Sequence, residues 1–218
     1  MINKIISIDE AADMVKEDMT IMVGGFLANG TPERLIDALV EKNVKNLTLI
    51  CNDTGFPDRG VGKMVVNKQF KKIIASHVGT NPETANQMNS GQTEVVLTPQ
   101  GTLAEKIRCG GHGLGGFYTP TGVGTEAAEG KEIRVINGKE YVFETPLRAE
   151  IALLRASIAD KKGNLIFKKT MKNFNPIMAT AADLVIVEAD KIVEVGEIDP
   201  EHVMCAGIFV DYIVGGDK

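Results

Sequence analysis

The chain has 218 residues, 44% of them hydrophobic and 24% charged, with a net charge of −5. That is enough apolar material for one substantial core. No apolar run approaches the roughly 20 residues of a membrane span, and no block of Lys and Arg offers the backbone neutralisation that nucleic acid requires. Cys51, Cys109 and Cys205 are widely spaced and odd in number, which argues against a disulfide framework or a zinc site. The opening Met-Ile-Asn-Lys runs straight into an amphipathic helix instead of a cleavable signal, so a cytoplasmic location is expected.

Ser7 and Glu10 stand at capping-box spacing and open a helix that runs to about Lys16. Thr20 to Val23 reads as a strand. It runs into Gly24-Gly25-Phe26-Leu27-Ala28-Asn29-Gly30, after which Thr31 as N-cap and Pro32 at the first helical position start a second helix. The apolar face of that helix is Leu35, Ile36, Leu39 and Val40, and Asn46 ends it. A buried strand, Leu47 to Ile50, finishes at Cys51-Asn52-Asp53-Thr54-Gly55. The pattern continues with a helix near Gly62 to Lys68, a strand at Ile73 to Ser76, a helix from Pro82 to Ser90 and a strand at Glu94 to Thr98. A helix from Thr102 to Cys109 follows, with Thr102 and Glu105 again at capping-box spacing. Strands alternating with helices at this spacing predict an α/β fold: an open, largely parallel sheet with right-handed crossovers and helices on both faces.

From Gly110 to Gly130 the sequence turns glycine-rich and loop-like. Ile133 to Ile136, Asn137-Gly138 and Tyr141 to Phe143 then form a strong hairpin signal, because Asn-Gly suits a type I′ turn. Residues 110–146 are therefore expected to be a small excursion from the sheet. Buried segments return at Ile151 to Ala156, Leu165 to Phe167, Leu184 to Val187, Ile192 to Val195 and Ile208 to Val214, with Asn175-Pro176 opening a helix. There is no repeat of solenoid length and no low-complexity linker, so residues 1–218 are expected to form a single domain.

Candidate chemistry gathers at strand ends, beyond which the ligand crevice of an open α/β sheet lies. The sequence places Gly24-Gly25, Asn52, His77, Gln100 and Glu188 there. Paired glycines before a helix can turn several backbone N–H groups toward one anionic or oxyanionic ligand, with the helix N-terminus adding partial positive charge. They serve as often for a tight turn alone. Asn52 and Gln100 are neutral amides able to donate to a carboxylate, or equally to serve turn and cap chemistry. Glu188 reads as a structural carboxylate before a nucleophile or base, and Cys51 as a small buried hydrophobe before a nucleophile. Gly111 to Gly116 satisfies GxGxxG but follows a helix and precedes none, which removes the dinucleotide reading. His77, His112 and His202 lack metal-ligand spacing.

The run VGGFLANGTPERLIDAL resembles the glycine signature of the family I (3-oxoacid) CoA-transferases, and within them the α subunits of bacterial acetate/acetoacetate (butyrate) enzymes. LTPQGTLAEKIRCGG at Leu97 to Gly111, FYTPTGVGT at Phe117 to Thr125, and the stretches around Gly163 to Phe167 and Asn173 to Asn175 extend the likeness over nearly the whole chain. Glu17-Asp18 departs from the Asp/Asn-Gly that usually opens the signature. The resemblance implies a CoA-transferase (NagB/RpiA-like) fold and ping-pong transfer of CoA from a short-chain acyl-CoA, such as acetoacetyl-CoA, butyryl-CoA or acetyl-CoA, to a free carboxylate such as acetate or butyrate. The covalent intermediate is a glutamyl-CoA thioester on a β subunit, in an α2β2 heterotetramer, without a metal or permanently bound cofactor. No Ser-Glu-Asn-Gly motif occurs here, so no catalytic nucleophile is expected in this chain. The resemblance further implies that Gly24, Gly25, Phe26, Leu27, Ala28, Asn29 and Gly30 contact CoA, and that Asn52 and Gln100 line the acyl or carboxylate pocket. Two other readings are a sugar-phosphate isomerase on a related fold and a non-catalytic acyl-CoA-binding module.

Overall fold

Eleven strands and six α-helices are present in the computed structural model, which describes residues 3–216. The strands are β1 (Thr20–Val23), β2 (Leu47–Cys51), β3 (Phe70–Ala75), β4 (Glu94–Leu97), β5 (Phe117–Thr119), β6 (Ile133–Ile136), β7 (Lys139–Glu144), β8 (Ala149–Asp160), β9 (Leu165–Ile166), β10 (Ala182–Val193) and β11 (Tyr212–Gly215). The helices are α1 (Ile8–Asp13), α2 (Glu33–Lys42), α3 (Gly62–Val66), α4 (Pro82–Asn89), α5 (Gln100–Gly111) and α6 (Asn175–Met178).

The main sheet has the order β11-β10-β8-β1-β2-β3-β4, with β9 beside β8. All neighbours on that path pair in parallel, and β9 alone runs antiparallel. Alternation along β1 explains why helices cover both faces. Ile21 and Val23 join one core with Leu35, Ile36 and Leu39 of α2 and Met64 of α3, whereas Met22 joins a second core with Leu103 and Ile107 of α5 and Met178 of α6. The open, largely parallel α/β sheet expected from the sequence is the one observed.

The capping box at Ser7 and Glu10 forms, although its helix stops at Asp13. The other two expected caps do not. α2 begins at Glu33 with Pro32 in the cap position, and Thr31 makes no cap bond. The amides of Arg34 and Leu35 donate instead to the Glu188 carboxylate, at 2.9 and 3.1 Å. α5 begins at Gln100, two residues early, so Thr102 lies inside the helix with its hydroxyl buried and unpartnered among the described residues, and Glu105 pairs with Arg108 at 2.8 Å. The segments expected at Leu184 to Val187 and Ile192 to Val195 are one strand, β10, paired along its length with β8. Its polar middle is no break, because Glu188 caps α2 and Asp190 pairs with Arg155 at 2.8 Å. The last expected strand is shorter than predicted: Gly207–Phe209 is a 3₁₀ turn and only Tyr212–Gly215 pairs with β10.

The excursion is a three-stranded antiparallel sheet of order β5-β7-β6, one strand more than the predicted hairpin. Asn137 and Gly138 both take positive φ, as the Asn-Gly turn requires. Glu144 at the end of β7 is 2% exposed and accepts from Lys106 of α5 at 2.8 Å and from Lys131 at 2.6 Å, tying the small sheet to the main body. Burial pushes the Glu144 carboxyl up, but the two lysines outweigh it and hold the group below its ordinary value of 4.5. A depressed folded value stabilises the fold above the ordinary pKa, and that contribution disappears as pH falls through the depressed value. Glu144→Ala, which strands Lys106 without its counter-charge, is expected to cost about 3 kcal/mol at neutral pH. In thermal unfolding followed against pH, the wild type's advantage over this variant is expected to shrink below about pH 4.5.

Candidate functional site

The loop leaving β1 carries four residues at positive φ within six positions. Gly25 has φ +132°, Leu27 +48°, Ala28 +66° and Gly30 +76°. Phe26 and Asn29 exchange backbone hydrogen bonds at 3.0 and 2.9 Å around Leu27-Ala28, a tight turn with two non-glycine residues in the left-handed region. A Cβ on Gly24 would stand 2.0 Å from Asn175 Oδ1, and one on Gly25 would stand 2.1 Å from Thr31 Oγ1. Gly24 is therefore demanded by close approach, and Gly25 by close approach as well as by φ.

Three side chains from two other segments grip this loop. Asp53 Oδ2 accepts from the Leu27 amide at 2.9 Å. Asn175, fully buried, donates to the Gly30 carbonyl at 3.0 Å and to the Met171 carbonyl at 2.8 Å, while its Oδ1 accepts from the Arg155 amide at 3.0 Å. Asn173 donates to the Asn29 carbonyl at 2.9 Å. The loop's amides divide accordingly. Gly24 donates to the Leu153 carbonyl, and Phe26, Leu27 and Asn29 are spent as described. Among the described residues, the amides of Gly25, Ala28 and Gly30 donate to no protein group. The α2 N-terminus departs from expectation: with Glu188 accepting from Arg34 and Leu35, its partial positive charge is already balanced by a carboxylate.

A cavity of about 390 Å³ opens beside the loop at the C-terminal ends of β1, β2 and β3, lined by Phe26, Leu27, Asn52, Asp53, His77 and Gln100, with Ser76 and Thr80. Asn52 and Gln100 are thus brought together, as the strand-end argument predicted, and His77 joins them. Gln100 Nε2 donates to Asn52 Oδ1 at 2.8 Å, Ser76 Oγ donates to the Asn52 backbone carbonyl at 2.7 Å and lies 3.0 Å from the same Oδ1, and Asn52 Nδ2 donates to Asp53 Oδ2 at 2.7 Å. A wider cleft of about 690 Å³ shares Ser76 and continues over Leu97, Thr98 and Pro99 to Thr125 and Ala127 of the glycine-rich segment. A cavity of about 720 Å³ beside Lys162 and Ile208 contains none of the candidate residues, and its Lys4 ammonium is committed to the Gly207 and Val210 carbonyls. The strand-end cavity is the functional candidate because polar side chains converge there.

Glu188 lies outside this cavity, against the helix that follows the loop and beside Arg155. Burial pushes its carboxyl up, and the Leu35 amide, Arg155 and Arg34 only partly offset this. Cys51 is buried, and burial together with the neighbouring Asp53 drives its thiol well above the ordinary value, far from a thiolate nucleophile. Asp53 and Asn175 carry the loop yet were not singled out from the sequence. The sequence does repeat the loop itself beside Asp53. Gly25-Phe26 and Gly30 recur one strand later as Gly55-Phe56 and Gly60, where Phe56 and Arg59 again exchange backbone bonds at 3.3 and 3.2 Å.

This architecture, a parallel sheet with a left-handed glycine turn at its ligand edge, belongs to a known class. Residues 5–216 match the Coenzyme A transferase family, and the chain belongs to that family. It is 52% identical to the acetate CoA-transferase subunit alpha of Escherichia coli (strain K12), over 98% of this chain and 97% of that protein. It is 50% identical to the acetoacetyl-CoA:acetate/butyrate CoA transferase alpha subunit of Clostridium acetobutylicum, over 98% of each. Among solved structures, an acyl-CoA transferase from E. coli O157:H7 superposes with a TM-score of 0.88 at 22% identity, covering 97% of this chain and 47% of that one, so this chain spans about half of that longer protein. Glutaconate coenzyme A-transferase from Acidaminococcus fermentans gives 0.82 at 17% identity, covering 97% and 75%. These two likenesses establish the fold.

Gly25→Ala is expected to lower stability by about 1–3 kcal/mol, the cost of a strained backbone position, with the overlap on Thr31 added. Adding Thr31→Ala should relieve the overlap and leave the φ strain, so the double variant melts between Gly25→Ala and wild type; thermal unfolding of the three chains checks this.

Proposed function

We propose that this chain is the α subunit of a heteromeric CoA-transferase that moves CoA between a short-chain acyl-CoA (acetoacetyl-CoA, butyryl-CoA or acetyl-CoA) and a free carboxylate such as acetate or butyrate. The observation that carries the reading is its full-length identity of about half to the two bacterial α subunits named for those acids. The family's substrates are CoA and its thioesters, and relatives named as α subunits imply a β partner. An α2β2 assembly, a single α domain and a cytoplasmic location complete the reading. No helix among the described residues is long and apolar enough to cross a membrane.

In this reading the transferred CoA is held for a time as a glutamyl thioester on β, and one thioester replaces another without ATP or a metal. The α chain supplies binding and electrostatics from Gly24 to Gly30, with Asn52 and Gln100 at the acyl or carboxylate end. The amides of Gly25, Ala28 and Gly30 are the loop donors without protein partners, and they suit an oxygen on which negative charge develops. Removing one preorganised donor of that kind costs on the order of 100-fold in rate. The absence of a nucleophile from α is supported by the two buried carboxylates near the loop: Asp53 accepts from Leu27, Gly55 and Asn52, and Glu188 caps α2.

The test is consumption of acetoacetyl-CoA with acetate as acceptor, for this chain alone and mixed with a candidate β subunit. Activity in the mixture only is expected. Equal activity without β would place the nucleophile in this chain, and CoA binding without turnover in the mixture would favour the non-catalytic module. Glu188→Gln keeps an acceptor oxygen for α2 and is expected to retain activity within about threefold of wild type; loss of the order expected for a missing nucleophile would return Glu188 to that role.

A further inference from the structure

Two loops of the same design lie side by side at the edge of the sheet. Gly25 to Gly30 follows β1 and Gly55 to Gly60 follows β2, each closed by a backbone pair between Phe and the residue three positions on. They touch: a Cβ built on Gly60 would stand 3.1 Å from the Ala28 Cβ. The Asp53 carboxylate lies between them with one oxygen for each. Oδ2 accepts from the Leu27 amide of the first loop at 2.9 Å, and Oδ1 accepts from the Gly55 amide of the second at 2.9 Å. The same Oδ2 accepts from Asn52 Nδ2 at 2.7 Å. Asp53 is 5% exposed, so these are charge-assisted bonds in a poorly solvated place.

The chain of donors fixes every amide in the row. Because Asp53 accepts only, Asn52 must turn its nitrogen toward it. That sets Asn52 Oδ1 toward Ser76 and Gln100, and Gln100 in turn must donate with Nε2 at 2.8 Å. One Gln100 N–H and its Oε1 are left without a side-chain partner in this network, at the edge of the cavity. Asn52, by contrast, is 2% exposed, with its oxygen and one of its two N–H groups committed, whereas Gln100 is exposed.

We propose that Asp53 is a positioning residue for the transfer reaction: it holds the Leu27 turn in register with the second loop and sets the Asn52 and Gln100 amides, so that Gln100 is the amide presented to the substrate and Asn52 is its support. This rests on the functional reading given above. Asp53 does not touch the reacting atoms. It acts through two routes that end at the same cavity, the turn that carries the Ala28 amide and the side-chain row that ends at Gln100.

Two experiments test it. In the α–β complex, Asp53→Ala is expected to lower kcat at least about tenfold with a change in KM for the acyl-CoA of less than about threefold. Because Asp53 works partly through Asn52, the double variant Asp53→Ala/Asn52→Ala should lose no more than about threefold beyond the worse single variant, whereas independent roles would multiply. In the full α chain, Asp53→Asn keeps the volume but turns one acceptor into a donor facing Gly55, or facing Leu27 and Asn52. Amide hydrogen exchange at Leu27 or Gly55 is then expected to rise at least about tenfold while the amides of β1 stay as in wild type. Multiplying losses, a wild-type kcat in folded Asp53→Ala, or unchanged exchange at both amides in Asp53→Asn overturns the proposal. If the wild-type complex transfers no CoA, the functional reading fails by itself, and the exchange measurement still decides whether Asp53 holds the loops.

Discussion

Four left-handed residues within six positions, Gly25, Leu27, Ala28 and Gly30, are held at the end of β1 by hydrogen bonds from distant parts of the chain. The backbone does not adopt such a turn unaided, since non-glycine residues at positive φ cost of order 1–3 kcal/mol each. Asp53 from the end of β2 fixes its tip, Asn175 from α6 fixes its exit, and Asn173 fixes its shoulder. The parallel sheet makes this arrangement possible. It puts β1 between β2 and β8, so the segments that follow those strands arrive at the same edge.

The consequence for chemistry is a site built from neutral donors. Both buried carboxylates beside the loop are occupied as acceptors, and the α2 N-terminus, which looks like an anion site in the sequence, is already closed by Glu188. What is left is the unspent backbone amides of the loop and, lining the cavity, the Gln100 amide, the His77 ring and the hydroxyls of Ser76 and Thr80. The amides of such a set can stabilise an oxyanion, and no carboxylate in it is free to attack a thioester. A subunit of this kind gains activity from a partner that brings the carboxylate, which is the division of labour proposed for it.

Fold class and strand order of appearance were legible because apolar runs and glycine breaks alternate cleanly as far as Gly111, and Asn137-Gly138 announced its turn. Most of the errors have a physical origin in contacts remote in sequence. β10 reads as two segments because Glu188 and Asp190 interrupt its apolar run, and only the folded chain reveals that α2 and Arg155 neutralise them. Thr31 and Thr102 read as helix caps from local spacing, yet Glu188 takes over the first task and Pro99 starts the second helix early. Asn52, Gln100 and the glycine loop lie at the strand ends where the alternation of the sequence puts them. Asn175 reads in the sequence as the start of a helix and as part of a family motif, and nothing local says that an amide before a proline reaches back to Gly24 and Gly30.

The central claim is that the loop offers ligand only those amides that the protein leaves unspent. Amide NMR of the α–β complex, with glycine and alanine of the α chain labelled with ¹⁵N, reads this directly during titration with acetyl-CoA. The account predicts that Gly25, Ala28 and Gly30 shift on binding while Gly24, bonded to the Leu153 carbonyl, moves far less. Saturable binding that leaves all three unchanged, or that shifts Gly24 alone, would contradict it.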